Sequence, residues 1–267
     1  MHADPSPWPY DLVADIYDED MEPNVSGADV TFYVQRCHSA AGPVLELGCG
    51  TGRITLPLVR AGATVVGIDR SLPMIRVLRR KAEERLDRAE RKRLHVCCTK
   101  MQELGLAGSF ARVLCPYSAI RYLTTVQEQH RTLRAAREAL APGGLLLLDV
   151  FDPDPSVERA PRGRPIFDYL RPRSDGTFLE RTKLLHDDGE PGVSVVERRY
   201  RILDAAGRAL RRVTTFSRIR TFAPDDLVAA LEECGLHVVE ILRGFPGSRA
   251  SEPRMVVITC ESSSRRL

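Results

Sequence analysis

The sequence has no C-x-x-C pair. Its seven cysteines, Cys37, Cys49, Cys97, Cys98, Cys115, Cys234 and Cys260, are odd in number and scattered, so neither a disulfide framework nor a zinc site is suggested. A reducing cytoplasm fits that usage best. No apolar run approaches the ~18 residues of a membrane span, so no membrane partner is expected. The opening stretch "MHADPSPWPYD" has neither the basic nor the apolar region of a secretory leader, and no signal peptide is expected. The net charge of +3 is too small to require nucleic acid or membrane as a partner. Repeats and low-complexity segments are absent as well.

What is there is ordinary in bulk. The 267 residues, 43% hydrophobic and 28% charged, are enough for a sizeable core and near the upper end for one α/β domain. "DLVADIYDEDM" suggests an N-terminal helix, and a second is expected around residues 27–39. Then strands and helices alternate. "GPVLELG", "ATVVGID", "RLHVCC", "FARVLCPY" and "LLLLDVF" read as strands. "RITLPLVRAG" reads as a helix stopped at Gly62, and "SLPMIRVLRRKAEERLDRAERKR" as one long helix capped by Ser71. "TVQEQHRTLRAAREALAPGG" reads as a helix ended by its Pro and Gly. Near-continuous apolar strands alternating with helices predict a doubly wound parallel sheet with both faces covered. After Phe151 the pattern changes. Three strand-like segments, "TFLERTKLLHD", "VSVVERRYRILD" and "ALRRVTTFSRIRTF", predict an antiparallel meander. "APDDLVAALEECGL", "HVVEILRGF" and "MVVITCE" then return to helix and strands. The division expected is an N-terminal helical cap (1–42), an α/β core (43–151), a β-rich insertion (152–220) and a closing segment (221–267).

The informative stretch is "PVLELGCGTGR", residues 43–53. A buried-looking strand ends near a carboxylate, Glu46, and then packs Gly48, Gly50 and Gly52 into five positions. Each glycine costs roughly 0.5–1 kcal/mol relative to alanine in a regular element. A sharp turn that lets a ligand touch its backbone justifies them, at the end of a sheet where doubly wound proteins bind nucleotides. About 20 residues later the next strand ends in Asp69, correctly placed for the two hydroxyls of a ribose. The spacing is G-x-G-x-G, not the G-x-G-x-x-G of dinucleotide sites.

Taken together, "VLELGCGTGR", "VVGIDRSLPMI" and "ALAPGGLLLLDVF" resemble the class I S-adenosylmethionine-dependent methyltransferases. With "YDLVADIYDEDM" and the late β-rich insertion, the chain is similar to small-molecule members, such as aminosugar N-methyltransferases and the glycine/sarcosine type. The resemblance implies a Rossmann-like seven-stranded sheet with a reversed last strand. It implies a lid made from the N-terminal helix and the insertion, which could equally bind the acceptor or a second copy. It implies S-adenosylmethionine as cofactor, with Glu46, Gly48, Cys49 and Gly50 lining its methionine part and Thr51 and Arg53 also among the cofactor-binding residues. Asp69 would hold the ribose, Arg70 and Met74 would flank ribose and adenine, and Met101, Gln102 and Pro116 would complete the pocket. Family members often carry an acidic residue near the adenine amine; here that position is Lys100.

Methyl transfer from a sulfonium is an in-line displacement with a neutral leaving group, so no metal is required. Positioning, water exclusion and, for some acceptors, proton removal are the tasks. Aromatic faces suit a sulfonium, and Tyr17 and Tyr117, with Tyr10 behind them, are the candidates. Arg121, in "LCPYSAIRYL", suits an anionic acceptor group. The same loop lacks the amide or acid that would grip a nucleobase amine, and Cys115 reads as a strand-end residue. No histidine stands out as a base; His186, beside Asp187 and Asp188, reads as turn decoration. In the basic run of residues 76–93 acids are interleaved at helical spacing, which suggests a solvated face. The reading is a methyltransferase of a small-molecule acceptor, amine nitrogen favoured, monomeric or homodimeric, with no nucleic-acid partner. Open alternatives are an O- or C-methyltransferase, an RNA methyltransferase and a non-catalytic S-adenosylmethionine-binding protein.

Overall fold

The computed structural model describes residues 8–21, 27–38, 40–152, 162–249 and 254–262. It divides into two compact units, Ala14–Asp152 with Phe222–Leu267, and Met1–Val13 with Pro153–Thr221.

The larger unit is the α/β core. Its helices are α1 (Tyr17–Met21), α2 (Ala28–His38), α3 (Thr55–Arg60), α4 (Leu72–Arg85), α5 (Arg88–Arg91), α6 (Val126–Ala139) and α7 (Pro224–Glu233). Its strands are β1 (Val44–Leu47), β2 (Val65–Asp69), β3 (Leu94–Cys98), β4 (Phe110–Cys115), β5 (Leu140–Phe151), β10 (Leu236–Arg243) and β11 (Met255–Ser262). They form one seven-stranded sheet in the order β10-β11-β5-β4-β1-β2-β3. β1 pairs in parallel with both β2 and β4, whereas β11 runs antiparallel to β5. The last strand is therefore reversed, as the resemblance implies.

Alternate residues of each central strand feed different cores, which is why the strands are apolar throughout. Val113, Leu146 and Leu148 pack with Leu133 of α6 and Leu227 of α7. Leu114 and Leu147 pack with Phe32 and Tyr33 of α2 and Leu56 of α3. The strand order reverses at β1, between β4 and β2. That switch point leaves a crevice at the carboxyl ends of these strands, and the glycine loop follows directly from β1.

Three expectations about helices change. The long helix is two helices, α4 and α5, because Asp87 opens a capping box with Glu90 (2.8 Å in each direction). The D-x-x-E spacing was the signal. The "LAPGG" segment belongs to β5 rather than to the helix end: Leu140 is already extended at φ −68°, ψ 132°, and Pro142 disfavours helix in the residue before it. The N-terminal helix is broken into a 3₁₀ turn, Pro9–Leu12, and α1.

The smaller unit is an antiparallel sheet, β6 (Ile166–Pro172), β7 (Phe178–Asp187), β8 (Val193–Leu203) and β9 (Ala209–Arg220), in that order. It has four strands where three were expected, β6 being the addition. Arg199 and Arg201 are exposed and paired with Glu197 and Glu180. The 3₁₀ turn joins this sheet, with Arg211 Nη2 donating to the Leu12 carbonyl at 3.1 Å. Among the described residues no helix is long and apolar enough to cross a membrane.

β5 approaches β4 closely at Gly144, where a Cβ would stand 2.8 Å from the Phe110 carbonyl oxygen. Gly144→Ala is expected to cost about 1–3 kcal/mol, read as a lower thermal midpoint with an unchanged far-ultraviolet spectrum.

Candidate active site

The glycine loop is built by conformation. Gly48, Gly50 and Gly52 all have positive φ (75°, 53° and 87°), a region that L side chains avoid. Gly52 is additionally a packing position, since a Cβ there would meet Leu78 at 2.9 Å. At Gly50 a Cβ would meet only the Met74 methyl, at 3.5 Å, so this backbone is open to close approach. Cys49 is buried, and its side chain lies over Gly67, whose own Cβ would come within 3.0 Å of it.

Asp69 ties the loop to β2. Its Oδ2 accepts from the Gly50 N–H at 2.9 Å and its Oδ1 from the Ser71 N–H at 2.8 Å. Each oxygen has further lone pairs, and the residue is half-exposed at its strand end. Glu46 is buried and accepts from Thr55 Oγ1 at 2.6 Å. Burial pushes its carboxyl up to about 8.

Beside the loop, Arg53 donates to Asp29 (2.6 Å) and stacks over the Tyr117 ring at 5.1 Å. Burial disfavours its charge, but the Asp29 carboxylate outweighs that and keeps the guanidinium ionised. Its Nη1 is buried and has no hydrogen-bond partner among the described residues, which costs free energy unless a ligand accepts from it. Tyr117 and Arg53 both lie close enough to Tyr17 to act on its ionisation. Burial raises both phenols, Tyr117 to about 12, so at neutral pH they are uncharged aromatic faces and not bases. Arg121 stacks over Phe151 at 5.4 Å, and Phe151 meets the Tyr117 ring edge-on at 5.6 Å.

The expected residues therefore gather in two groups, Glu46, Gly48, Cys49, Gly50, Thr51, Asp69 and Met74 around the loop, and Tyr17, Arg53 and Tyr117 next to it. Met101 joins the first, its methyl 3.9 Å from where a Gly48 Cβ would stand, and Pro116 is buried just past β4. Others lie outside these two groups. Arg70 is exposed, Gln102 reaches toward Glu128 at 3.5 Å, and Lys100 pairs with Glu103 at 3.0 Å. Cys115 is buried with its thiol pushed up to about 12, which suits a strand-end packing residue. His186 bonds Glu197 within its own sheet, at 2.8 Å. Tyr10 lies in the smaller unit.

Sequence reasoning missed the supports. Asp18 accepts from Thr51 Oγ1 at 2.6 Å and from the buried Lys81 Nζ at 2.7 Å, fastening α1 to the loop and α4. Asp29 anchors Arg53. Asp149 accepts from Tyr33 Oη, at 2.6 Å, and from two backbone N–H groups. A lone acid inside "LLLLDVF" was the available signal, as Glu46 inside "VLELG" had been. Among the described residues no group of three or more His, Cys, Asp or Glu side chains is arranged to hold a metal.

This geometry meets its counterparts in known proteins. Residues 44–144 match the family model described as a methyltransferase domain. The chain carries a class I S-adenosylmethionine-dependent methyltransferase domain. Over 241 residues the enzyme is 26% identical to dTDP-3-amino-3,4,6-trideoxy-alpha-D-glucopyranose N,N-dimethyltransferase of Streptomyces venezuelae, covering 88% of this chain and 94% of that one. A shorter match, 34% identical, links 41% of the chain to 42% of the cypemycin N-terminal methyltransferase of a Streptomyces species. Among solved structures, the CcbJ methyltransferase from Streptomyces caelestis is similar at a TM-score of 0.75 and 25% identity, covering 96% of this chain and 99% of that one. S-adenosylmethionine is the cofactor. The residues present fit it: a half-exposed carboxylate for hydroxyls, an open glycine backbone, and a buried guanidinium nitrogen in want of an acceptor.

Glu46 gives this site a pH signature. Its folded pKa, about 8, lies above the ordinary value, so the folded enzyme holds a proton there that the unfolded chain releases. The resulting stability is full below the unfolded pKa, near 4.5, and is lost as pH rises through about 8. The ligand-free enzyme should melt at progressively lower temperature between those limits. Glu46→Gln should flatten the slope; an unchanged slope would remove Glu46 as its source.

Proposed function

We propose that the enzyme transfers a methyl group to an amine nitrogen of a small-molecule acceptor, with aminosugars the class to examine first. The observation that carries this is the match to an aminosugar N,N-dimethyltransferase along 94% of that relative. The site's chemistry supports it. Bound S-adenosylmethionine supplies a methyl group on a sulfonium, whose departure leaves a neutral thioether. A neutral amine attacks with its own lone pair and gives its proton to water afterwards, so it needs no tuned base. The two neutral tyrosines and the charged Arg53 offer none.

In this reading Asp69 accepts from the ribose hydroxyls. The open backbone at Gly48, Cys49 and Gly50 receives the methionine part, with Glu46 and Thr51 behind it. Arg53 Nη1 donates to the cofactor carboxylate. Met74, Met101 and Pro116 enclose the base, and Arg70 and Gln102 contribute at its rim. Tyr17 and Tyr117 present aromatic faces to the sulfonium, worth on the order of 0.5–2 kcal/mol. Arg121 meets an anionic group on the acceptor. The four-stranded sheet supplies acceptor specificity and excludes water, because nothing in the cofactor motifs calls for it and a bare α/β unit would leave the methyl group wet. The seven free thiols fit a reducing cytoplasm, the compartment this reading favours.

The test is mass spectrometry of products from S-adenosylmethionine with a panel of aminosugars, amino acids and phenols. A mass gain of one or two methyl groups confined to amines is expected; transfer only to phenols would overturn the amine assignment. Asp69→Ala should weaken S-adenosylmethionine binding by about 1–3 kcal/mol in calorimetry with the fold intact. Replacing residues 153–221 with a Gly-rich linker should leave that affinity within about tenfold while turnover collapses.

A further inference from the structure

We infer that Asp149 is a positioning residue, acting through the backbone of Tyr117 and Ser118 to fix the aromatic face presented to the cofactor's sulfonium. The inference rests on the reading of Tyr117 given above and extends it to Asp149, to which that reading gave no role.

The observation is a strained turn with one evident support. Tyr117 and Ser118, directly after β4, both have left-handed backbones, φ 55° and 54°, and are the two non-glycine residues so placed among the described residues. Side chains disfavour that region, and such strain persists only where the surroundings over-determine it. Here they do. Asp149 Oδ2 accepts from the Tyr117 N–H at 2.8 Å, and Oδ1 accepts from the Ser118 N–H at 2.9 Å. Ser118 Oγ accepts in turn from the Phe151 N–H at 2.7 Å. The bonds lock the end of β4 to the end of β5 and set the Tyr117 ring against Phe151 and beneath Arg53.

Asp149 itself is 1% exposed, flanked along β5 by buried Leu148 and Val150. A leucine there would pack without the desolvation cost that a carboxylate carries. What the carboxylate adds is acceptors for two consecutive amides that turn away from any ladder, plus a third bond, from Tyr33 Oη, that holds its own orientation. Tyr33 is fully buried on α2, so the chain of support runs from α2 through Asp149 to the turn.

The experiment compares the affinity of the holo-competent enzyme for S-adenosylmethionine, a sulfonium cation, with that for neutral S-adenosylhomocysteine, by calorimetry. Tyr117→Leu should reduce the preference for the cation by about twofold to thirtyfold. Asp149→Asn, which turns one acceptor into a donor facing backbone N–H groups, should reduce it in the same direction by at least about twofold. Tyr33→Phe should do so to a smaller, measurable degree. A lower melting temperature with the wild-type preference in Asp149→Asn, while Tyr117→Leu loses it, would make Asp149 a structural residue only. If Asp149→Asn does not fold, an unchanged preference in Tyr33→Phe overturns the inference. An unchanged preference in Tyr117→Leu overturns the reading of Tyr117 and the inference with it.

Discussion

Parallel strands that end at a common edge leave backbone N–H groups in the following loops with no ladder to join, and an acceptor at the strand end can gather them. Here two strands, β2 and β5, carry that acceptor as a carboxylate, and β1 carries an acid that accepts from a hydroxyl. Asp69 on β2 holds the Gly50 amide, Asp149 on β5 holds those of Tyr117 and Ser118, and Glu46 on β1 holds the Thr55 hydroxyl. Each bond crosses from one element to another. The loops after β1 and β4 therefore have fixed shapes, and the two glycine-rich and aromatic halves of the site lie where the strand order reverses.

Burying these acids is expensive, and the enzyme bears that cost at the site rather than elsewhere in the sheet. Burial drives Glu46 up to about 8 and Asp149 to about 6. Both are held by hydrogen-bond donors, Thr55 for Glu46, and Tyr33 with two amides for Asp149, and the nearby Arg53 charge also favours the ionised form of Glu46. The Arg53 charge is paired with Asp29, and one of its nitrogens is left for a ligand. The site is thus arranged for a guest that brings its own hydroxyls, carboxylate and positive charge, which describes S-adenosylmethionine.

Much of this was legible in the sequence, for physical reasons. Continuous apolar strands are read easily because both sheet faces are covered, and glycines stand out where only positive φ suffices. Glu46 and Asp69 announced themselves as acids at the ends of apolar runs. Asp149 gave the same signal, yet without a glycine loop beside it nothing in the sequence set it apart from a buried polar residue. Asp18 and Asp29 were not legible at all: their partners, Thr51, Lys81 and Arg53, are brought to them by the fold, across 24 to 63 positions of chain. The α4–α5 break and strand β6 were missed for a different reason. Asp87 lay inside a strongly charged helical pattern, and "IFDYLRP" followed a stretch of loop composition.

The central claim is that the loops after β1, β2 and β4 together hold the cofactor. Amide hydrogen exchange with and without saturating S-adenosylmethionine tests it most directly, since it reports every segment at once and needs no acceptor. The account predicts added protection in residues 46–53, 69–74 and 116–119, with the outer strands β10 and β11 unchanged. Protection confined to the four-stranded sheet, or absent from the glycine loop under saturating cofactor, would contradict it.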